Sequence, residues 1–258
     1  MQYLIIVGVT LAVAHLIYLS VWATARVAPT KPKYNIVIFL PSLYNAIKGS
    51  VFMQRCVIIG NANINNYDIV KKYLSTNDFY IFCDGGLKHR EALNIEPNLI
   101  VGDFDSHPNP NLPIETIVLP CEKDDTDTVY AVKEAVSRGF SNFLLIGVIG
   151  ERFDHSLGNI SILLMLDSLG KTAKIIDDYS EIELVSQSPA FIEDSFSYFS
   201  LLNITGKANG ICIENAKYNL ENGTINCDYQ YGVSNEVLSG KTAKVTVNNG
   251  ELLLIKIF

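Results

Sequence analysis

Aspartates gather at a few points of this chain in a pattern that would suit a hard metal ion. Asp103 and Asp105 stand two positions apart in "LIVGDFDS", directly after an apolar run. Asp84 opens "DGG" after "FYIFC", Asp124, Asp125 and Asp127 crowd "CEKDDTDT", and Asp154 follows "GVIGER". Each has an ordinary explanation when taken singly. An Asp before two glycines makes a turn, "DDTDT" suits a helix N-terminus, and Asp103 and Asp105 suit an Asx turn. Taken together they would crowd like charges, which is costly unless cations neutralise them. Carboxylates without paired histidine or cysteine favour Mg²⁺ over zinc, and Mg²⁺ held this way usually bridges to phosphates. Glycine supplies the complement. "GVIGER" and Gly102 are read as leaving room for phosphate near the backbone, with Arg152 as a planar donor.

Four strand ends must carry these acids. "CVIIG" (56–60), "FYIFC" (79–83), "NLIVG" (98–102), "IETIVL" (114–119), "NFLLIGV" (142–148) and "AKIID" (173–177) read as strands. Helical spacing between them predicts helices near 67–75, 86–94, 126–138 and 154–169. Strands alternating with helices imply a parallel α/β sheet, and ligands of such sheets bind outside the carboxyl ends of the strands. Asp84, Asp103 and Asp105, the Asp124–Asp127 group and Asp154 all fall at such ends. From about residue 181 only strand-like runs and glycine-marked turns remain, which predicts an all-β sandwich or barrel. The expected organisation is α/β plus all-β: a parallel-sheet α/β domain over 53–180, then an all-β domain over 181–258.

Of 258 residues, 48% are hydrophobic and 18% charged, enough for a substantial core, and the net charge of -7 argues against a general nucleic-acid binder. Five scattered cysteines without C-x-x-C indicate neither a disulfide framework nor a zinc site, and suit a cytoplasmic protein with reduced thiols. "SGKT" at 239–242 lacks the first glycine of a P-loop, Asn235 standing there, and no G-x-G-x-x-G occurs. Residues 3–22 are apolar and long enough to span a bilayer, with Arg26, Lys31 and Lys33 following. Met53-Gln54 repeats Met1-Gln2 just before the first strand. Residues 1–52 are therefore read as a dispensable or start-site extension first, a membrane anchor with the folded domain on the cytosolic side second, and a secretory signal last.

The acidic pieces in their order resemble the thiamine pyrophosphokinase (thiamine diphosphokinase) family. The matching stretches are "DGG" (84–86), "IEPNLIVGDFDS" (95–106), "KDDTDTVYA" (123–131), "GVIGERFDHSLGNI" (147–160) and "SNE" (234–236). The resemblance implies an α/β nucleotide-binding domain joined to a β-sandwich, in a homodimer with active sites between subunits. It implies transfer of the diphosphate of ATP to the thiamine hydroxyl, with Mg²⁺, giving thiamine diphosphate and AMP. It assigns Asp103, Asp105 and Asp127 to the metal, with Asp84 and Asp154 in the same catalytic site. Lys123, Asp124, Thr126, Arg152, His155 and Asn159 would lie on the nucleotide side. Tyr231, Ser234 and Asn235 would meet thiamine. Helix-start hydrogen bonding and buried polar contact explain His155 and Asn159 equally well, and packing explains Tyr229 and Tyr231. Asp105 and Asp127 both remain candidates for the general base. The alternatives are the same transfer to another heterocyclic alcohol such as a pterin, and a membrane-tethered thiamine-nucleotide binder without turnover.

Overall fold

The computed structural model describes residues 54–105, 108–109 and 111–258. The apolar segment 3–22, with the rest of the 1–52 extension, lies outside the described residues, and so does Ser106 of the "GDFDS" motif. Among the described residues no helix is long and apolar enough to cross a membrane.

A ten-stranded mixed sheet carries helices, and a separate four-stranded antiparallel sheet packs on part of it. Strands β1 (Cys56–Ile59), β2 (Phe79–Cys83), β3 (Leu99–Gly102), β4 (Glu115–Val118), β5 (Asn142–Ile146) and β6 (Thr172–Ile176) pair in parallel, in the spatial order β6-β5-β1-β2-β3-β4. β1 and β3 are buried at every position because both sheet faces are covered. Alternation along β1 sends Cys56 and Ile58 into one core and Val57 and Ile59 into the other. The first core includes Ala131, Val132 and Ala135 of helix α3 (Asp127–Ser137) and Ile162, Leu163 and Leu166 of helix α4 (Phe153–Ser168). The second core lies under the short helices α1 (Tyr67–Lys71) and α2 (Arg90–Leu93).

The halves expected on either side of residue 180 meet without a break in the sheet. Strand β7 (Ser180–Val185) pairs antiparallel with β6, and β14 (Leu252–Ile257), β9 (Tyr198–Leu202) and β12 (Gly232–Asn235) continue the same sheet outward. The second sheet, in the order β11-β10-β13-β8, contains β8 (Ala190–Glu193), β10 (Lys207–Glu214), β11 (Leu220–Asn226) and β13 (Thr242–Thr246). Leu252 and Leu254 of β14 join Phe199, Leu201, Ile211, Ile213 and Val245 in the core between the two sheets, while Leu253 faces the helical core. A buried ion network crosses the junction. Lys256 of β14 pairs with Glu181 and, at 2.7 Å, with Glu183 of β7, and Lys174 of β6 reaches Glu181 at 2.6 Å.

Candidate active site

Asp84 is the first residue of a 3₁₀ helix (Asp84–His89) that begins where β2 ends. Its side chain is buried; Oδ1 accepts from the Gly85 N–H, and Oδ2 has no hydrogen-bond partner. A buried carboxylate oxygen without a donor is costly, so its surroundings call for a cation. The helix that carries it is itself anchored. The Nε2–H of buried His89 donates to the Ala62 carbonyl at 2.9 Å, which leaves Nδ1 to accept from the Tyr67 hydroxyl at 2.7 Å.

Asp103 and Asp105 leave the end of the neighbouring strand β3. The Asp105 N–H donates to Asp103 Oδ1 at 3.2 Å, so the expected Asx turn is present. Between them Phe104 is left-handed, with φ 60°. Its ring packs into the core beneath α1 and α2, which holds a backbone conformation that otherwise costs about 1–2 kcal/mol for an L-residue. One carboxylate oxygen each from Asp84, Asp103 and Asp105 lie within 4.8 Å of one another. A cluster of hard oxygens with an orphan buried acceptor fits a hexacoordinate cation of the Mg²⁺ type.

Gly102 serves a different purpose from the one expected. A Cβ there would lie 2.5 Å from the Cβ of Asp84. The missing side chain lets Asp84 close onto β3, bringing the acids of two strands together, where phosphate access was expected. Gly147 of the "GVIGER" loop is similar: with φ 64°, it would place a Cβ 2.8 Å from the Gly60 carbonyl. Both positions give close backbone packing at the strand ends.

Asp127 opens α3, where Thr126 is the N-cap and accepts from the Val129 N–H at 3.3 Å. Lys123 joins Asp127 to the cluster. Its Nζ contacts Asp103 Oδ2 and stands 3.0 Å from Asp127 Oδ1. That Asp127 oxygen is buried and makes no aligned hydrogen bond, despite the distance. Its environment separates it from Asp103. Desolvation, aided by the charges of Asp84 and Asp103, pushes Asp127 above the usual carboxylate range. The hydrogen bond from Lys123 holds Asp103 below it. Burial disfavours the Lys123 ammonium, but its two carboxylate partners outweigh that and raise its pKa. Asp124 is exposed, and Asp125 is engaged by Lys133 at 2.6 Å.

The "GVIGERFDH" residues follow β5 and open α4. Arg152 forks onto Asp154, with Nε to Oδ1 at 2.9 Å and Nη2 to Oδ2 at 2.7 Å, and both side chains are well exposed. The Arg152 hydrogen bond holds Asp154 far below the ordinary range. His155 is exposed. Buried Asn159 donates to the Val148 carbonyl at 2.8 Å, and Ser156 bonds Gly150 and Arg152, so this part of α4 fixes the loop after β5. A polar strap absent from the sequence expectations crosses above. Lys88 donates to Asn63 Oδ1 at 3.0 Å and to the Asn61 carbonyl, and Asn63 donates to Glu151 at 2.9 Å. It ties together the segments that follow β1, β2 and β5.

Tyr231, Ser234 and Asn235 lie at or beside β12, the opposite edge of the ten-stranded sheet. Asn235 is buried; it accepts from the N–H groups of Tyr218 and Glu236 and donates to the Tyr218 carbonyl at 2.8 Å. Tyr231 donates to the Thr224 carbonyl at 2.6 Å, and its ring centroid is 5.9 Å from that of Tyr229. Ser234 is left-handed, with φ 59°. Among the described residues, the other non-glycine residues with positive φ are all asparagines, which tolerate that region. Phe104 and Ser234 do not share that tolerance, and each sits inside one of the two motifs. Eight inter-strand steps separate β12 from β3, about 38 Å at ~4.8 Å per step.

Comparison with known proteins finds two matched regions. The family model "Thiamin pyrophosphokinase, catalytic domain" matches residues 70–176, and "Thiamin pyrophosphokinase, vitamin B1 binding domain" matches residues 186–252. The thiamine pyrophosphokinase of Bacillus subtilis (strain 168) is 26% identical over 192 residues, covering 71% of this chain and 89% of that protein. The crystal structure of thiamine pyrophosphokinase from Bacillus subtilis superposes with a TM-score of 0.72 at 22% identity, over 79% of this chain and 99% of that one. The yeast thiamin pyrophosphokinase structure shares the fold, with a TM-score of 0.63 at 16% identity, over 84% of this chain and 90% of that one. The two matched regions contain the acidic strand ends and the β12 motif in the order read from the sequence, and the chain belongs to the thiamine pyrophosphokinase family.

Proposed function

We propose that this chain is an ATP-dependent thiamine diphosphokinase, converting thiamine and ATP into thiamine diphosphate and AMP. One observation carries the reading: the carboxylates of Asp84, Asp103 and Asp105 converge at the strand ends of the region matched by the family's catalytic domain. Asp84, Asp103 and Asp105, with Asp127 beside them, would hold Mg²⁺. When bound, the metal supplies charge neutralisation for the triphosphate. The remaining work falls to the chain. Lys123 stabilises negative charge on the phosphate oxygens as a point cation. The thiamine hydroxyl oxygen forms a bond to the β-phosphorus, the bond from that phosphorus to the α-bridging oxygen breaks, and AMP leaves. The hydroxyl proton passes to a carboxylate of the cluster, Asp105 or Asp127.

The separation of about 38 Å between the two motif regions supports a composite site. Ser234 and Asn235 of one copy would meet the acid cluster of another in a homodimer with isologous contact. Tyr231 would offer thiamine an aromatic face. The unpaired cysteines, two of them buried, suit the reducing conditions of a cytoplasmic enzyme. The test is a panel of acceptor alcohols incubated with the full chain, ATP and Mg²⁺, reading AMP. Thiamine is expected to be the preferred acceptor; a pterin alcohol preferred over thiamine would overturn the assignment.

A further inference from the structure

Lys123 has a place in this site beyond holding phosphate. Its ammonium lies between carboxylates of two different elements, Asp103 after β3 and Asp127 at the start of α3. The side chains of all three are largely buried, at 15%, 7% and 20% exposure. The oxygens it takes are Asp103 Oδ2 and Asp127 Oδ1. A small divalent cation ligated by the same carboxylates demands oxygens at about 2.0–2.1 Å in near-octahedral array, and an ammonium touching those oxygens would stand against it, cation beside cation. The fit of the ammonium is also imperfect. Asp127 Oδ1 remains without an aligned hydrogen bond although Nζ is 3.0 Å away, and Asp84 Oδ2 has no partner. The stem of lysine is flexible and its charge has no fixed fork, so releasing it costs little geometry.

We propose that Lys123 is a displaceable counter-cation, which bridges Asp103 and Asp127 until a divalent cation takes those carboxylates and then swings onto the triphosphate. The inference rests on the metal reading above. It makes metal and nucleotide binding positively coupled through one side chain, and that coupling is reciprocal. A fixed spacer at the same position would only dilute the negative charge, equally with and without nucleotide.

The test is Mn²⁺ binding to the full chain, followed by the electron paramagnetic resonance of free Mn²⁺. Wild type, Lys123→Met and Lys123→Arg are compared, each with and without α,β-methylene-ATP. Without the analogue, Lys123→Met is expected to bind Mn²⁺ about tenfold more tightly than wild type, a shift of about 1.4 kcal/mol. With the analogue that advantage disappears, because the wild-type ammonium has already moved. Lys123→Arg, whose fork grips carboxylates more firmly, is expected to bind Mn²⁺ more weakly than wild type. A readout on the unmutated protein guards against misfolded variants. Acetylation of Lys123, followed by mass spectrometry, is expected to rise several-fold on adding Mg²⁺ alone and fall again with the analogue. An unchanged Lys123→Met affinity, an advantage of equal size with and without analogue, or unchanged acetylation would each overturn the displacement. Wild type that binds no Mn²⁺ would overturn the metal reading and this inference with it.

Discussion

Replacing Gly102 by alanine tests whether the closeness of two strand ends makes the site. The added methyl would lie 2.5 Å from Asp84 Cβ and 3.1 Å from its Cγ and its backbone nitrogen. Ordinary carbon contacts lie at about 3.5–4.0 Å, so Asp84 and β3 must part by about 1 Å. The clashing atom is the root of a buried side chain, so a rotamer change gives no relief and the backbone has to yield. Overpacking of this kind costs about 1–3 kcal/mol, or a melting point lower by about 2–4 °C per kcal/mol in a domain of this size. The functional loss should be larger in proportion. A displacement of about 1 Å in a site of fixed geometry costs about 10²-fold in rate. The assay pairs AMP release and Mn²⁺ affinity with thermal unfolding of the full chain. Gly158→Ala serves as the stability control: it is mid-helix with nothing within 4 Å of an added Cβ, and should gain about 0.5–1 kcal/mol. A Gly102→Ala protein with wild-type metal affinity and turnover would show that the closeness of Asp84 to β3 does not make the site.

Asp103→Asn and Asp127→Asn should each abolish turnover while leaving the far-ultraviolet circular dichroism unchanged; near-normal activity in either would remove that residue from the metal set. Lys256→Met should destabilise by about 3 kcal/mol, because it strips a buried partner from Glu181 and Glu183, as denaturant titration would show. Burial pushes Glu181 upward, but hydrogen bonds from Lys174 and Lys256 outweigh it and hold its pKa below the ordinary 4.5. Its contribution is therefore present above that value and lost as pH falls through the lower folded one. Glu181→Gln should flatten the loss of stability between about pH 5 and 3, and an unchanged acid slope would contradict this. Asp103→Asn and Ser234→Arg should each be inactive alone, yet a reassociated equal mixture should recover about a quarter of wild-type turnover, since half of random dimers are mixed and each carries one intact site. No recovery despite dimer exchange would argue against a site shared between copies.

The parts legible in the sequence were those in which composition and geometry coincide. β1, β2, β3 and β5 are covered on both faces, so they read as unbroken apolar runs. β8 and β12 carry little local signal, because each is four residues with a single buried side chain. Continuity of the sheet past residue 180 was hidden because it depends on pairing between β6 and β7, which no local pattern encodes. The convergence of Asp84, Asp103 and Asp105 follows from the strand-end rule. The outward pairing of Arg152 with Asp154 does not, because two residues near a helix start can satisfy each other at the surface. Left-handed Phe104 and Ser234 run against residue preference, so no local pattern announces them. The strap from Lys88 through Asn63 to Glu151 joins residues up to 88 positions apart; the asparagine-rich segment 61–66 after β1 was its one visible sign.

The most direct measurement is phosphorus-31 NMR of the full chain with ATP, Mg²⁺ and thiamine. AMP and thiamine diphosphate should appear in equal amounts, with neither ADP nor thiamine monophosphate, and chelation of the metal should stop both. Release of ADP with a singly phosphorylated thiamine, or no AMP at all in the presence of thiamine, would contradict diphosphoryl transfer at the Asp84–Asp103–Asp105 site.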